Sequence, residues 1–410
     1  MYWANFLHIY QPPTQTEEIV RKVTDECYRK LVEILSQAPS ARVTLNINAC
    51  LTEQLDRYGL GDVIEGLRSL AERGQIEFTG SAMYHPILPL IPRSEMVRQI
   101  ELNNTVNRKY FGDVYNPKGF FPPEMCYSHE VAQVVADLGY RWIIVDEIAF
   151  NGKLGSASDK SLYQVEGLND FYVFFKERPF SAGITYGPYP DGESFLAALG
   201  KRIGQEAYLL TGTDGEVYGH HRPGQEKLLQ DIYAKDALET CTISELLDTF
   251  RRVEMVKPLP SSWSTWEDEM AANAPYTHWS YPGNELHELQ WKLTDTVIEL
   301  VTSIPANAEH FEQARHLLDE GLHSCQYWWA SCRPWWDTGM IERGAASLFE
   351  AVKAVEKSIP EGKFSGAKKI YHDILQMAQE WQRTGKAQQL RQDYLHSHPQ
   401  VASELTFGPQ

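Results

Sequence analysis

Seven short runs rich in apolar and β-branched residues constrain this chain more than any other feature. They read "YWANFLHI", "RVTLNI", "QIEFTG", "GFFP", "RWIIV", "FYVFF" and "AYLLTG", all within about the first 220 residues. Helical patterns lie between them, among them "EEIVRKVTDECYRKLVEILSQ", "LGDVIEGLRSLAERG", "RSEMVRQIELNNTVNRKYFG" and "SHEVAQVVADLGY". Strands alternating with helices of these lengths give an α/β fold, a parallel sheet covered by helices.

The residues just past each strand are equally informative. The first run ends in His8 and leads into Gln11, Pro12 and Pro13. The next runs deliver Asn48, His85, Glu124 and the Asp146–Glu147 pair, and "AYLLTGT" delivers Asp214. In parallel sheets and barrels the C-terminal strand ends meet at one face, where active sites are built. Polar groups after six of seven strands therefore predict one shared site, although each alone also fits a helix cap or a turn.

Two of these groups stand out. Glu124 follows Pro122 and Pro123, which fix the backbone and forbid helix, so it begins a rigid turn off a strand. Asp214 is flanked by Gly212 and Gly215, which let backbone or ligand approach closely. Two acids from different strand ends supply what glycoside hydrolysis requires, a nucleophile or base and an acid of raised pKa. Around Asp214 the stretch "TDGEVYGHHRPG" adds the adjacent His220 and His221. With His8, His85, Asp146 and Asp214 these could ligate zinc, but no HxxxH or HxD spacing is present and neighbouring histidines do not easily face one ion. Neutral histidines bonded to sugar hydroxyls fit better, so neither metal nor cofactor is expected. There is no Gly-rich phosphate loop and no GxSxG elbow, and Cys126 is read as a packing residue.

Charge excludes other partners. The formal net charge is −17 with no basic block, which argues against nucleic acid or an anionic membrane surface. No stretch approaches the roughly 20 apolar residues of a membrane span. The start "MYWANFLHIYQPP" lacks a secretory signature, so a cytoplasmic location is expected. The six cysteines form no CxxC pair and are expected to be free.

From about residue 225 the pattern changes. "TISE" carries a capping-box signature, and a Trp-, Pro- and Ser-rich loop follows. Amphipathic helices then run to the end, giving an expected division into a catalytic domain over 1–265 and a helical domain over 266–410. The tail from "HSHPQ" onward is expected to fray. Tryptophans gather at Trp263 and Trp266, at Trp279, and in "CQYWWASCRPWWD". Four in nine residues exceed what one helix face needs for its core. Core packing is expected to take the larger share, with one or two, such as Trp328 and Trp329, stacking on pyranose rings.

These residues resemble glycoside hydrolase family 57. The resemblance rests on "HIYQPP", "GSAMYHPILPL", "GFFPPEMCYS" and "TDGEVYGHH" in that order over residues 1 to about 225, with "SSWSTW" and "GNELHELQW" beyond. It implies a (β/α)7-type parallel barrel followed by a C-terminal helical module, and retaining chemistry on α-glucans: amylase, 4-α-glucanotransferase or branching activity. It further implies Glu124 as nucleophile and Asp214 as acid/base, with His8, His85 and Trp263 contacting the sugar at the cleavage point. Gln11, Asp146, His220, His221, Trp328 and Trp329 complete the expected substrate contacts. The two carboxyl groups of such an enzyme lie about 5–5.5 Å apart. The fifth motif departs, since Ser324-Cys325 stands where the family has Ser-Asp, and this bears on product specificity. Two other chemistries fit some of the same residues: a metal-dependent deacetylase or mannosidase, which would need a metal-binding acid on the first strand or an HxxxH, and a non-catalytic glucan-binding protein.

Overall fold

In the computed structural model the described residues are 1–235 and 237–401. Among the described residues there are ten strands: β1 (Tyr2–Ile9), β2 (Val43–Ile47), β3 (Ile76–Phe78), β4 (Gly119–Phe120), β5 (Trp142–Asp146), β6 (Leu162–Val165), β7 (Tyr172–Lys176), β8 (Tyr208–Asp214), β9 (Glu239–Cys241) and β10 (Val253–Val256). One parallel run has the order β3-β2-β1-β8, and a second has β7-β5-β4. Gly80 joins them, donating to Gly119 O and accepting from Phe121 N–H, each at 2.9 Å. At the other seam Glu177 N–H donates to Leu210 O at 2.8 Å, bringing β7 against β8. The seven strands expected from sequence thus curl into one parallel barrel.

Three strands were not expected. β6 runs antiparallel to β7, with Tyr163 opposite Val173, and β10 pairs with β6. β9 takes the lower half of one β1 edge, Tyr2 to Ala4, while β2 takes the upper half, Phe6 to Ile9. Each has three or four residues and a mixed burial pattern, too short for a periodic signal.

Period-two alternation decides which side chains reach the barrel interior. Ala4, Phe6, Trp142, Ile144, Phe174, Tyr208 and Leu210 share one interior cluster. Trp3, Leu7, Ile9 and Leu209 belong to another, against the outer helices. The same parity carried to the C-terminal strand ends turns His8, Asn46, Asp146, Lys176 and Asp214 inward. Register puts them at one level, with His8 beside both Asn46 and Asp214, and Asp146 beside Lys176. The opposite end is plugged by the helix Ile243–Thr249, capped by the Thr242–Glu245 box, with Ile243 and Leu246 in the interior cluster.

The expected helix over 17–37 forms with a π-helical turn at Thr24–Tyr28. Helices at Ala49–Arg57, Arg178–Tyr186 and Glu226–Tyr233 were not anticipated. Beyond the loop lie Glu285–Ser303, Phe311–Gly321, Thr338–Ala354, Glu361–Thr384 and Lys386–Ser397. One hydrophobic cluster crosses residue 265, joining Ile100, Val131 and Val145 to Leu293, Leu318 and Leu348. Each such buried side chain contributes about 1.5–3 kcal/mol. Across the same contact Arg315 pairs with Glu95 and with Asp319 (2.8 Å), and Arg98 with Asp319 (2.6 Å). Within the tail expected to fray, helix continues to Ser397, and His398 and Val401 are buried. The remainder of that tail, 402–410, lies outside the described residues.

Candidate active site

The site sits where the C-terminal strand ends face inward. His8 is buried, its Nδ1 2.8 Å from Asn46 Oδ1 and its ring 4.5 Å from that of Phe121. His85 reaches the same point from a loop residue in the left-handed region, φ +59°, and its ring lies 5.0 Å from that of His8. Its Nδ1 is 3.1 Å from Ser324 Oγ and 3.6 Å from Glu124 Oε1. Burial lowers His8 to about 4 and drives His85 well below its ordinary value, so both rings are neutral hydrogen-bonding groups.

Glu124 occupies the turn that the two prolines impose. Its backbone is left-handed, φ +58° and ψ +18°, which costs about 1–2 kcal/mol in a residue with a side chain. The loop over 261–263 fixes this turn: Tyr127 N–H donates to Ser261 O (2.8 Å) and Trp263 N–H to Glu124 O (3.1 Å). Trp263 Nε1–H also donates to Glu124 Oε2 at 2.9 Å. Asp214 ends β8 in register with His8. Burial raises both acids. Glu124 rises to about 8, the Asp214 charge adding to the effect and the Trp263 N–H opposing it. Asp214 rises to about 6, with the Lys176 ammonium pulling it back.

Three participants were not among the expected site residues. Glu216 is buried and pushed up to about 8 by desolvation and then by Asp214. It accepts from Tyr28 Oη–H at 2.5 Å and from Tyr10 N–H at 3.1 Å. Tyr10 stacks on His85 at 4.3 Å. Lys176 is 5% exposed and pairs with Asp146 at 2.9 Å. A signal for Lys176 existed, because strand parity places it on the inward row with Phe174; a terminal lysine reads as solvated only when parity is ignored. Glu216 follows Asp214 by two residues.

Other expected contacts are placed differently. Asp146 has no exposed surface and is locked by Arg178 (2.6 Å) as well as Lys176, so it is a structural counter-ion and not a sugar contact. A buried carboxylate needs such partners. Gln11 is also buried, and its amide donates to Tyr28 Oη at 3.2 Å, one layer behind the carboxyls. His220 Nδ1 lies 2.6 Å from Glu26 Oε2, turned toward the helical segment that follows β1, with His221 tilted against it at 5.0 Å. His220 is thus committed to Glu26. Gly212 and Gly215 make room for protein: a Cβ would come within 3.0 Å of Lys176 Cδ in the first case and 2.5 Å of Ile9 Cγ2 in the second.

The helical module supplies one wall. Ser324 N–H donates to His85 O at 3.1 Å, and Cys325 Sγ lies 3.8 Å from Tyr10 Oη. Burial and the Glu124 charge push the Cys325 thiol up to about 12, so it is neutral. Trp328 packs with Ile87 and Cys126 near Glu124, and stacks with His278 (4.7 Å) and Trp335 (5.6 Å). Trp329 meets Trp335 edge-on at 5.8 Å, and both Trp328 and Trp329 are half-buried. Trp336 stacks instead on Trp381 at 5.8 Å within the helical core. Among the described residues no group of three or more His, Cys, Asp or Glu side chains is placed to hold a metal ion, and no helix is long and apolar enough to cross a membrane.

Comparison with known proteins adds to this geometry. The model of Glycosyl hydrolase family 57 matches residues 4–259. An alpha-amylase of Pyrococcus horikoshii is 26% identical over 258 residues, covering 60% of this chain and 40% of that protein. A 4-alpha-glucanotransferase of Thermococcus litoralis is 28% identical over 256 residues, covering 60% of this chain and 38% of that protein. The match thus spans about 40% of the length of these curated relatives. The crystal structure of a GH57 branching enzyme from Thermococcus kodakaraensis superposes with a TM-score of 0.69 at 15% identity, covering 90% of this chain and 94% of that one.

Proposed function

We propose, since the chain belongs to glycosyl hydrolase family 57, that it cleaves α-1,4-linked glucans with retention of configuration, Glu124 acting as nucleophile and Asp214 as acid/base. The observation that carries this is the pair of desolvated carboxyl groups brought to one barrel face from β8 and from the turn after β4, close enough for the charge of Asp214 to raise Glu124. The ring-bearing residues around them carry no charge: two neutral histidines, Tyr10 and the half-buried Trp263 and Trp328.

The chemistry follows from one proton shared by the pair. With Asp214 at about 6 and Glu124 at about 8, the singly protonated pair spans roughly pH 6 to 8. A glycosidic oxygen only accepts hydrogen bonds, so a bound glucan draws that proton onto Asp214 and leaves Glu124 ionised. Trp263 Nε1–H then steadies the carboxylate. Asp214 gives its proton to the leaving oxygen as the C1–O bond breaks, and a Glu124 oxygen attacks C1 to form a glycosyl ester. Asp214, now ionised, takes a proton from the acceptor, whose oxygen displaces Glu124. Water as acceptor gives hydrolysis; a sugar hydroxyl gives transfer or branching.

Maltoheptaose tests this directly. Wild type should release products of α configuration first, as shorter sugars for a hydrolase or as a ladder of longer and shorter ones for a transferase. Glu124→Gly, which also suits the left-handed backbone there, should be inactive and recover with azide, giving the β-glycosyl azide. Initial release of the β anomer, or normal turnover by Glu124→Gly without azide, would overturn the assignment.

A further inference from the structure

An ammonium group is buried within the floor of the site, and nothing in the two-carboxylate chemistry above uses it. Lys176 closes β7 on the inward row, 5% exposed, with Nζ 2.9 Å from Asp146 Oδ2 and 5.7 Å from the centroid of the Trp263 ring. Its stem lies against Gly212, two residues before Asp214 on the neighbouring strand's inner face. Asp146 cannot neutralise Lys176 by itself, because Arg178 already holds that carboxylate with Nη2 at 2.6 Å and Nε at 3.1 Å. Two cations therefore face one anion, and one positive charge is left over. Arg178 uses its remaining Nη1 to donate to Thr265 O at 2.7 Å, tying the same cluster to the loop that bears Trp263.

We infer that Lys176 is a positioning residue for the cleavage reaction: anchored by Asp146, its ammonium is the counter-charge that holds the Glu124–Asp214 pair at one negative charge. This rests on the functional assignment above. A water-poor pocket tolerates little net charge. Three acids, Glu124, Asp214 and Glu216, meet there, and full ionisation would leave the pocket strongly negative. Among the described residues, the other groups facing them are neutral or engaged elsewhere. His8 and His85 are uncharged, and Tyr10, Tyr28 and Cys325 keep their protons. Glu147 accepts from Arg178 N–H and Gly155 N–H, while Glu177 pairs with Arg202. One unbalanced ammonium then supports one carboxylate, with Glu216 and one member of the pair protonated. A double displacement needs that state, a nucleophile and an acid together.

The sign is fixed by Coulomb's law. Removing the cation disfavours ionised Asp214 and raises its midpoint; removing Asp146 releases the full field of Lys176 and Arg178 and lowers it. The test is NMR titration of 13C-carboxyl-labelled aspartate in the unliganded protein, the Asp214 signal assigned with Asp214→Asn, together with the pH profile of maltoheptaose cleavage. Lys176→Met should move the Asp214 midpoint and the acid limb of kcat/KM up by about one unit, lowering kcat more than KM. Lys176→Arg should restore both, which a purely structural role would not require. Asp146→Asn should shift the midpoint the other way. An Asp214 midpoint unmoved in folded Lys176→Met overturns the inference while leaving the two-carboxylate reading intact. A midpoint that rises in a protein whose wild type cleaves no glucan overturns that reading and leaves the electrostatic role of Lys176 standing. Should Lys176→Met not fold, a midpoint unmoved in folded Asp146→Asn overturns the inference equally.

Discussion

On the barrel side of the cleft, three of the groups at or after strand ends are each fixed by a short polar contact. His8 is held by Asn46, Glu124 by Trp263, and Lys176 by Asp146. On the helical side, Trp328 and Trp329 are placed by ring packing against His278 and Trp335. The difference matches what each side must do. Bond cleavage needs atoms held to a fraction of an ångström, which hydrogen bonds from rigid strands provide. Stacking on a sugar face tolerates sliding, which packed rings on short helices permit. Substitutions on the two sides should therefore fail in different currencies, one in kcat and the other in KM or stability.

The largest expected effect lies on the barrel side. Glu124→Gln keeps a hydrogen-bond acceptor for Trp263 but cannot form the glycosyl ester, and kcat/KM should fall about 10⁴-fold or more. Steady-state kinetics on maltoheptaose measures this, and thermal unfolding should show no loss of stability, because the substitution removes a buried ionisable group. A loss confined to KM would erase the contrast between the two sides.

Next comes the contact that holds the sides together. Arg315→Met leaves Glu95 without its partner in a buried setting, and losses of this kind cost about 3–5 kcal/mol. The low end is expected, since Arg98 still pairs with Asp319. Urea denaturation should show the loss, with kcat of the folded fraction unchanged. A fall in kcat without a fall in stability would mean that the module acts on the chemistry itself.

These two predictions draw on parts of the molecule that were unequally legible in the sequence. All seven barrel strands were visible, because each is an apolar run bounded by turn residues and followed by a crossover. The convergence of His8, His85, Glu124 and Asp214 was visible too, from their positions at strand ends or in the segments that follow them. Asp146 looked the same by that rule and is something else. Its role depends on Lys176 and Arg178 some 30 residues later, a pairing that only the register of β5 and β7 creates. Arg315 and Glu95 are 220 residues apart and carried no local sign at all. β9 and β10 were missed because strands of three or four residues at a barrel's edge follow the neighbours they complete.

A smaller effect sharpens the barrel side. Trp263→Phe keeps most of the ring but removes the N–H that lowers Glu124. A bond to a charged acceptor is worth about 1.5–3 kcal/mol, so kcat/KM should drop roughly 10- to 100-fold. The sign of the pH effect comes from the same bond. Wild-type kcat/KM should be bell-shaped, falling below about 6, where both acids are protonated and no nucleophile remains, and above about 8, where neither carries a proton to donate. Losing the N–H makes ionised Glu124 less favourable, so the alkaline limb should move up while the acid limb stays. An alkaline limb that moves down would show that Trp263 does not stabilise the carboxylate.

The smallest effect tests the helical side. Trp328 is half-buried and shares its packing with His278, Trp279 and Trp335. Its neighbours can partly close around a truncation, so Trp328→Ala should cost less than loss of a solitary core tryptophan. If its open face stacks on a glucose ring, an aromatic contact of about 0.5–1.5 kcal/mol disappears and KM for maltoheptaose rises roughly 2- to 10-fold. The interaction is made equally in the bound and transition states, so kcat should hold. Chain length then separates stacking from simple loosening. A ring next to the cleavage point should matter for short and long oligosaccharides alike, whereas one further along the cleft should matter only for substrates long enough to reach it. Comparing maltotriose with maltoheptaose in Trp328→Ala and Trp329→Ala would therefore order the two rings along the glucan. A fall in kcat with KM unchanged would show that the rings of the helical side are held as strictly as the carboxylates, and the contrast between the two sides would collapse.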